Sequence, residues 1–270
     1  MVVFPNAKIN IGLRIVGKRK DGYHDILTPI YPIPWQDILE LVTARNEEFT
    51  LSGLDIPGPT DKNLCLEAYH LMKKAFDLPA VKMHLHKVIP FAAGLGGGSS
   101  DAAFTIKALN TLFSLGLTAT AMEKIAAGLG SDCPFFIKNI PAIASGTGTS
   151  LEEIDISLKS DYLVLVNPDI QIPTAALYQK ISKFSSPEIP PAEVLKKPVG
   201  EWRDFLTNDF EKIVFPEFPE IKAIKDKLYQ SGAAFAAMSG SGSTVYGIFS
   251  GEPVLTGFPN NYRIWKGKIG

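Results

Sequence analysis

One stretch of this chain, residues 94–98, reads Gly-Leu-Gly-Gly-Gly and has a single side chain larger than a hydrogen atom. Glycine loses much conformational entropy on folding, so such a run persists where the backbone adopts positive φ or where another group approaches it closely. Residues 81–88 alternate apolar and polar side chains like a strand, and the apolar spacing after the run is that of a helix. The stretch therefore predicts a tight turn between a strand and a helix.

Backbone N–H groups in such a turn, beside the positive end of a helix dipole, form a binding site for phosphate groups. The dinucleotide-binding pattern does not fit because its last position is Ser99, and no lysine follows the glycines as in a Walker A loop. The HRD and DFG motifs of protein kinases are also missing from the sequence. A flexible loop without a ligand is the alternative, but flexible linkers are not usually enclosed between a strand and a capped helix.

Composition argues against several classes of partner. The 27 basic and 28 acidic residues give a formal net charge of −1, without the positive field on which non-specific nucleic-acid binding depends. No segment approaches the roughly 20 apolar residues of a membrane span. Cys65 and Cys133 are too few for a disulfide scaffold and lack zinc-ligand spacing, so we expect a reducing cytoplasm.

Strand-like and helix-like patterns are mixed along the chain, and its 270 residues favour two cores over one. We predict one domain over residues 1–152 and a second over residues 153–270. Within residues 2–16, apolar side chains alternate with Lys8 and Asn10, which we expect to share a strand face that points away from the core.

Some helix N-termini are marked by side chains that can cap them. Thr60 or Asp61 is expected to cap the first long helix, and Ser99 or Ser100 the helix after the glycine run. The proline- and serine-rich residues 182–200 are expected to form an exposed loop.

Four stretches together resemble the GHMP kinases, the family named for galactokinase, homoserine, mevalonate and phosphomevalonate kinases. The stretch PFAAGLGGGSSDAAF is similar to the family's phosphate-binding motif, PxxxGLGSSAA, and MSGSGSTVYGIF resembles its third, glycine-rich motif. The stretch PNAKINIGLRIVGKRKDGYHDI resembles the opening of the branch that phosphorylates 4-diphosphocytidyl-2-C-methyl-D-erythritol, and LGSDCPFF differs from that branch's common GADVPFF at two small residues. The matches occur in order from Pro5 to Phe249.

The resemblance implies an α+β fold with two domains, an N-terminal one like ribosomal protein S5 domain 2 and a C-terminal ferredoxin-like one. It implies ATP-dependent phosphorylation of the 2-hydroxyl of the cytidine diphosphate-linked substrate, with ATP and Mg²⁺ required. The metal ligands are not identified by the sequence, although Ser99 and Ser100 are candidates. Another GHMP kinase acting on mevalonate, homoserine or a sugar remains an alternative, as does a nucleotide-binding protein without turnover.

The resemblance also assigns roles to Lys8 and Asp132. Asp132 matches the family's catalytic aspartate, which accepts the proton of the substrate hydroxyl. Lys8 matches the catalytic lysine, whose ammonium keeps that carboxylate ionised and stabilises charge on the phosphoryl group. The alternatives are an Asp132 that only caps the turn before Pro134 and a Lys8 that only solvates a strand. Cys133 is expected to be small and buried, not a nucleophile.

Recognition of cytosine needs an aromatic platform and a directional hydrogen-bond partner. By resemblance, His24 reads the cytosine edge, Tyr23 packs against the nucleoside, and Asn10 reaches the erythritol end. The alternative for Tyr23 and His24 is a turn that packs on the strand beneath. Thr174 aligns with a substrate-side position, although we favour an ordinary helix N-cap there.

The nucleotide side of the site is expected to involve both glycine-rich turns. Asn63 and Lys87 match positions near the ATP purine, with a helix-terminal amide and an exposed strand lysine as the alternatives. Gly240 and Gly242 would bring a second backbone turn to the phosphates, with a plain hairpin turn as the alternative. The predicted ATP-binding residues are Pro90, Gly94, Leu95, Gly96, Gly97, Gly98, Ser99, Ser100, Asn63, Lys87, Gly240 and Gly242.

Overall fold

The structure, a computed structural model, describes residues 1–159 and 161–269. The chain divides into two compact units, each built from three segments. The first comprises Met1–Ala7, Trp35–Phe91 and Gly96–Ile140, and the second comprises Lys8–Pro34, Ala92–Leu95 and Pro141–Gly270. The division at residue 152 stays a prediction about sequence domains, whereas the compact units are discontinuous along the chain.

Strands and helices are mixed throughout the chain, as the sequence predicts. The strands are β1 (Val2–Val3), β2 (Asn6–Asn10), β3 (Arg14–Lys18), β4 (His24–Gln36), β5 (Ile38–Thr43), β6 (Glu48–Gly53), β7 (Val81–Lys87), β8 (Ala142–Gly146), β9 (Ser150–Glu153), β10 (Tyr162–Asn167), β11 (Phe235–Met238), β12 (Val245–Phe249) and β13 (Arg263–Lys268). The helices are α1 (Leu64–Phe76), α2 (Gly97–Leu112), α3 (Ala119–Ala127), α4 (Phe135–Lys138), α5 (Thr174–Gln179), α6 (Pro191–Val194), α7 (Glu211–Glu217) and α8 (Pro219–Gln230).

The first unit contains a sheet with the strand order β1-β5-β7-β6, in which β6 runs parallel to β7 and the other neighbours are antiparallel. The helices α1 and α2 pack against each other. The buried side chains of α1 recur at helical spacing and form one face: Cys65, Ala68, Tyr69 and Met72. The strand β7 leads directly to the glycine run, and α2 follows it.

Asn63, and not Thr60 or Asp61, caps α1. Its Oδ1 accepts a hydrogen bond from the Cys65 backbone N–H at 2.9 Å, and its own backbone is extended. Thr60 and Asp61 precede this cap and lie in a 3-10 turn that ends at Lys62. The prediction was wrong because several residues with capping side chains precede the apolar face, and the pattern does not show which of them starts the helix.

The second unit contains an antiparallel sheet with the order β11-β12-β10-β13. A strand, helices, two strands joined by a turn and a last strand follow one another, which is the course of a ferredoxin-like domain without its second helix. Residues 250–262, all described, connect β12 to β13 without a helix. The core on the helical side of the sheet includes Val164, Val166, Val214, Ile221, Ile224, Leu228, Met238 and Val245.

A five-stranded sheet has the order β2-β4-β8-β9, with β3 paired to β4. An Asp-Gly pair between strand-like stretches predicts a hairpin turn, and Asp21 and Gly22 form the turn between β3 and β4. Gly22 has φ +89°, and the Asp21 carboxylate accepts from the Tyr23 N–H at 3.1 Å. This hairpin presents His24 as the first residue of β4.

The face that Lys8 and Asn10 share is buried, so the prediction that it points away from the core was wrong. Distant segments of the chain cover it. The Tyr246 hydroxyl donates to the Asn10 carbonyl at 3.0 Å, and the Asn10 amide donates to Thr28 Oγ1 at 3.0 Å. Alternation along one strand does not reveal such cover, which comes from residues far away in sequence.

Residues 182–200 are not an exposed loop throughout. Pro191 starts the short helix α6, in which Pro191 and Val194 are buried, and a 3-10 turn begins at Val199. Proline is favourable in the first turn of a helix because it needs no N–H partner there, so the proline-rich composition was compatible with an element. Among the described residues, no helix is long and apolar enough to cross a membrane.

Ile221→Ala is expected to lower the free energy of unfolding by about 2–5 kcal/mol, because it leaves a cavity in the core of the second unit. Urea unfolding measures the change. The exposed neighbour Lys222→Ala is the control and should change stability by less than about 1 kcal/mol. Equal losses in the two variants would contradict this assignment of the core.

Candidate active site

The glycine run connects β7 to α2, as predicted, but the helix begins earlier than expected. Gly96 is the N-cap of α2 with φ +68°, and Gly97 is the first helical residue. Ser99 and Ser100 lie in the first turn and do not cap it, so that prediction was wrong. A glycine that adopts the left-handed backbone conformation at no steric cost starts the helix without a capping side chain.

Gly94 is at a position that only glycine can occupy. It has φ +77°, and a Cβ atom built there would lie 2.0 Å from the carbonyl oxygen of Ser239. The Ser239 hydroxyl in turn donates to the Gly94 carbonyl at 2.8 Å. The first and the last glycine-rich motifs are thus in direct backbone contact within the second unit.

Lys8 and Asn10 complete this arrangement. The Lys8 ammonium donates to Asn10 Oδ1 at 2.6 Å, and the Lys8 backbone N–H donates to the Leu95 carbonyl at 2.9 Å. The Asn10 N–H donates to the Ser239 hydroxyl at 3.2 Å. We call Lys8, Asn10, Gly94, Leu95 and Ser239 the Lys8 cluster. It brings the predicted catalytic lysine and a predicted substrate contact to the backbone of two glycine turns.

Gly240, Ser241 and Gly242 extend the last motif beyond this cluster. A Cβ atom on Gly240 would lie 3.1 Å from Asn10 Oδ1, so the turn packs closely on the same asparagine. The Ser241 hydroxyl is hydrogen-bonded to Thr174 Oγ1 at 2.8 Å. Thr174 is the first residue of α5 and Pro173 is at the cap position, so the prediction that Thr174 caps the helix was wrong. A proline at the cap moves the threonine into the first turn, where it faces the glycine motif.

Lys87, at the end of β7, is buried between two carboxylates. Its ammonium contacts Asp37 Oδ2 at 2.5 Å and Asp101 Oδ2 at 2.6 Å. Asp37 Oδ1 accepts from the backbone N–H groups of Val88 and Ile89, at 2.6 and 2.8 Å. We call Lys87, Asp37 and Asp101 the buried triad. It connects the segment before the glycine run to Asp101, the fifth residue of α2.

The triad holds two potential negative charges and one positive charge away from water. Burial raises the pKa of Asp101 to about 7, although the Lys87 ammonium partly opposes this. Burial by itself lowers the pKa of Lys87, but the two carboxylates together raise it above its ordinary value. The alternative of an exposed strand lysine was therefore wrong, and contact of Lys87 with the purine stays a prediction.

The remaining nucleotide-side residues lie in the first unit. Asn63 caps α1 through its side-chain oxygen, and its proposed purine contact stays a prediction. Ser100 Oγ is buried without a hydrogen-bond partner in the described part of the chain. Pro90 follows Ile89 directly and is buried.

Asp132 lies half-buried in the turn before α4, next to Cys133. Burial raises the pKa of the Cys133 thiol to about 11, so this residue is neutral near pH 7 and is not an activated nucleophile, as predicted. The catalytic role of Asp132 stays a prediction. No cluster of three metal-ligating His, Cys, Asp or Glu side chains occurs among the described residues.

His24 is buried among aromatic rings of the second unit. Its imidazole stacks on Tyr178, with centroids 5.0 Å apart and an interplanar angle of 22°, and the Phe184 ring lies 6.4 Å away. Its Nε2 has no hydrogen-bond partner among the described residues. Burial, and to a lesser extent Lys18, lowers the pKa of His24 and so favours the neutral imidazole. Tyr23, by contrast, is 67% exposed.

Sequence reasoning missed Tyr178 and Phe184. Tyr178 is part of an amphipathic helix, and its side chain has no feature that separates it from an ordinary core residue. Phe184 lies in the proline- and serine-rich segment, and its ring is 49% exposed, which only the structure shows. We name His24, Tyr178 and Phe184 the aromatic group.

Comparisons with known proteins identify the family of the chain. The description of the N-terminal domain of GHMP kinases matches residues 63–150, and that of their C-terminal domain matches residues 192–262. The 4-diphosphocytidyl-2-C-methyl-D-erythritol kinase of Parabacteroides distasonis is 48% identical over 92% of each chain. Its counterpart in Bacteroides fragilis is 49% identical over 95% of this chain and 94% of its own.

Solved structures extend the comparison to the fold. A 4-(cytidine 5'-diphospho)-2C-methyl-D-erythritol kinase with 29% identity superposes with a TM-score of 0.81 over 100% of this chain and 99% of its own. The mevalonate kinase of Methanococcus jannaschii, at 15% identity, shares the fold with a TM-score of 0.72 over 100% and 98%. The protein therefore has the two-domain α+β fold of the GHMP kinases. Within that class, the chain belongs to the family of 4-diphosphocytidyl-2-C-methyl-D-erythritol kinases.

Gly94→Ala is expected to reduce the catalytic rate by about 100-fold or more, because the methyl group would displace Ser239 and the Lys8 cluster. Gly116→Ala is the matched control, since Gly116 also has positive φ, at +68°, but has no atom within 4 Å of the added carbon. It should cost about 1 kcal/mol of stability and leave the rate unchanged. Steady-state kinetics of ADP release checks both variants, and a fully active Gly94→Ala variant would contradict the close approach.

Asp101→Asn is expected to flatten the dependence of stability on pH. The folded-state pKa of Asp101 is about 7, above its ordinary 3.8. Its proton therefore contributes stability that is fully present below about pH 4 and is lost as the pH rises through about 7. Between about pH 5 and pH 8, the wild-type protein should lose more free energy of unfolding than the variant. Urea titrations at both pH values measure this difference. An equal change in the free energy of unfolding of the two proteins would contradict the raised pKa of Asp101.

Proposed function

We propose that this protein transfers the γ-phosphoryl group of ATP to the 2-hydroxyl of 4-diphosphocytidyl-2-C-methyl-D-erythritol, in the methylerythritol phosphate pathway of isoprenoid precursor synthesis. The aromatic group is the observation that carries the choice of substrate. Mevalonate, homoserine and hexoses have no base, and a buried imidazole with an unpartnered nitrogen and two neighbouring rings has no evident task with them. The names of the relatives support the same choice.

The aromatic group suits cytosine in chemical terms. A neutral imidazole has one N–H donor and one acceptor nitrogen, so it can pair with the directional edge of a pyrimidine. Aromatic rings stack on the face of a base, which contributes about 1–3 kcal/mol per base in nucleic-acid complexes. The lowered pKa of His24 keeps the imidazole neutral at physiological pH. We assign edge recognition to His24 and stacking to Phe184, while the exposed Tyr23 ring packs against the nucleoside.

Phosphoryl transfer requires positioning and charge neutralisation more than covalent chemistry from the protein. The backbone N–H groups of the glycine run and the N-terminal end of α2 would hold the ATP phosphates. Lys8 would stabilise the charge that develops on the transferred group, and Asp132 would accept or orient the substrate proton. Asn10, which holds the Lys8 ammonium, would face the erythritol end, with Thr174 on the substrate side.

Mg²⁺ would enter with the nucleotide, bound mainly by phosphate oxygens and water, since it usually retains several waters in such sites. Ser99 and Ser100 in the first turn of α2 are the candidate protein ligands. Two buried free thiols suit a reducing compartment, and we propose a cytoplasmic location.

His24→Ala is expected to raise the KM for the cytidyl substrate by about 10- to 100-fold, because edge recognition and ring contact are lost together. The KM for ATP should stay within about twofold, since the ring contacts of His24 are with Tyr178 and Phe184. A coupled ADP-release assay measures both constants. Mevalonate, homoserine and galactose serve as control acceptors that the wild-type enzyme should not phosphorylate. Equal effects on both KM values would argue against base recognition by His24.

Asp132→Asn is expected to reduce kcat by about 10²- to 10⁴-fold, because the amide cannot accept the hydroxyl proton. Binding of ATP, measured by calorimetry, should be retained and serves as the control. Single-turnover transfer at the wild-type rate would remove Asp132 from the mechanism.

A further inference from the structure

Phe184 lies in a segment without regular secondary structure, yet its neighbour Ser185 is firmly attached. The Ser185 N–H donates to the Ile15 carbonyl at 2.8 Å, and the Ser185 hydroxyl donates to Asp209 Oδ2 at 2.6 Å. The same carboxylate oxygen accepts from the Ile15 N–H at 2.9 Å. Ser185 is thus held from two directions, by strand β3 and by one carboxylate.

Asp209 is well suited to act as this anchor. It is buried, its own N–H donates to the Leu13 carbonyl at 2.8 Å, and Lys212 donates to its second oxygen at 3.0 Å. Hydrogen bonds to a charged acceptor are shorter and stronger than neutral ones. The link between Asp209 and Ser185 is therefore stronger than a typical loop contact.

The anchor acts on both sides of the aromatic group. The strand β3, which Asp209 holds at Ile15, pairs with β4, and in this pairing Lys18 lies opposite His24. Ser185 directly follows Phe184, whose ring lies 6.4 Å from the His24 ring. One carboxylate therefore fixes the strand pair that presents His24 and the segment that presents Phe184.

We propose that Asp209 is a positioning residue for base recognition, which holds Phe184 beside His24 through the Ser185 hydroxyl. This inference rests on the proposed function, in which His24 and Phe184 bind the cytosine base. It assigns a role in substrate specificity to a residue outside the motifs that the sequence analysis identified. Asp209 would act only on the cytidyl side and leave the ATP side unaffected.

The experiment uses the intact enzyme and cytidine 5'-diphosphate as the probe, with calorimetry for its Kd and steady-state kinetics for the two KM values. Ser185→Ala removes the hydroxyl and keeps the backbone bond to Ile15. We expect it to raise the Kd of the probe and the KM of the cytidyl substrate by about tenfold, with the KM for ATP within about twofold. Ser185→Thr, which keeps the hydroxyl, should restore most of the affinity.

A double-mutant cycle shows whether Ser185 acts through Phe184. Phe184→Ala alone should raise the Kd of the probe by about tenfold or more. Adding Ser185→Ala to it should raise the Kd by less than about twofold further. Lys222→Ala is the control, because Lys222 is an exposed lysine whose ion pair, with Asp226, does not include Asp209 or Ser185. It should leave the Kd unchanged.

The outcomes separate this inference from the proposed function. If His24→Ala and Phe184→Ala weaken binding of the probe but Ser185→Ala does not, base recognition stands and the anchoring role of Asp209 is overturned. Additive losses in the cycle, or equal changes in the two KM values, also overturn it. If neither His24→Ala nor Phe184→Ala affects the probe, base recognition by the aromatic group is wrong, and the anchor proposal is wrong with it.

Discussion

The segments on either side of the glycine run depend on the buried triad of Lys87, Asp37 and Asp101. Two carboxylates buried away from water are held by one ammonium, and removal of Lys87 would leave buried negative charge without compensation. Asp37 also holds the two N–H groups that lead into the glycine run, and Asp101 is the fifth residue of α2. The glycine run is entropically costly to order, and the same three side chains fix the segments before and after it.

In the second unit, backbone groups, not buried charges, hold the residues around Gly94 in place. The Lys8 cluster holds the predicted catalytic lysine through amide, hydroxyl and carbonyl groups, and glycine at position 94 is what allows those groups to approach each other. Glycine in the first and last motifs is therefore explained by close contact of backbone with backbone as well as by any ligand. The side chains that would distinguish the substrate, His24 and Phe184, come from the hairpin and from a loop, where they can vary without a change in this framework.

Much of the fold followed from local patterns in the sequence. Alternation predicted β7, the Asp21-Gly22 pair predicted the hairpin turn, and the glycine run predicted the strand–turn–helix. These features depend on a few adjacent residues, whose φ preferences and apolar spacing are visible in one sequence. The resemblance to the GHMP kinases supplied the α+β two-domain fold, which local patterns permitted but did not determine.

The features that the sequence did not reveal are long-range. The burial of Lys87 depends on Asp37, which is 50 residues earlier, and the cover over Asn10 comes from Tyr246. Capping positions were missed for a different reason, since Asn63 and Gly96 each have neighbours of equal capping propensity or flexibility. Tyr178 and Phe184 reach His24 only after the chain has folded, so their part in the site has no local signature.

The most direct test of the account is the identity of the phosphorylated product. The purified enzyme is incubated with ATP, Mg²⁺ and 4-diphosphocytidyl-2-C-methyl-D-erythritol, and the product is analysed by phosphorus and carbon nuclear magnetic resonance. The account predicts one new phosphomonoester, coupled to carbon 2 of the erythritol, with the diphosphate intact and one ADP formed per product. Phosphorylation at another hydroxyl, cleavage of the diphosphate, or ADP formation without acceptor phosphorylation would contradict it.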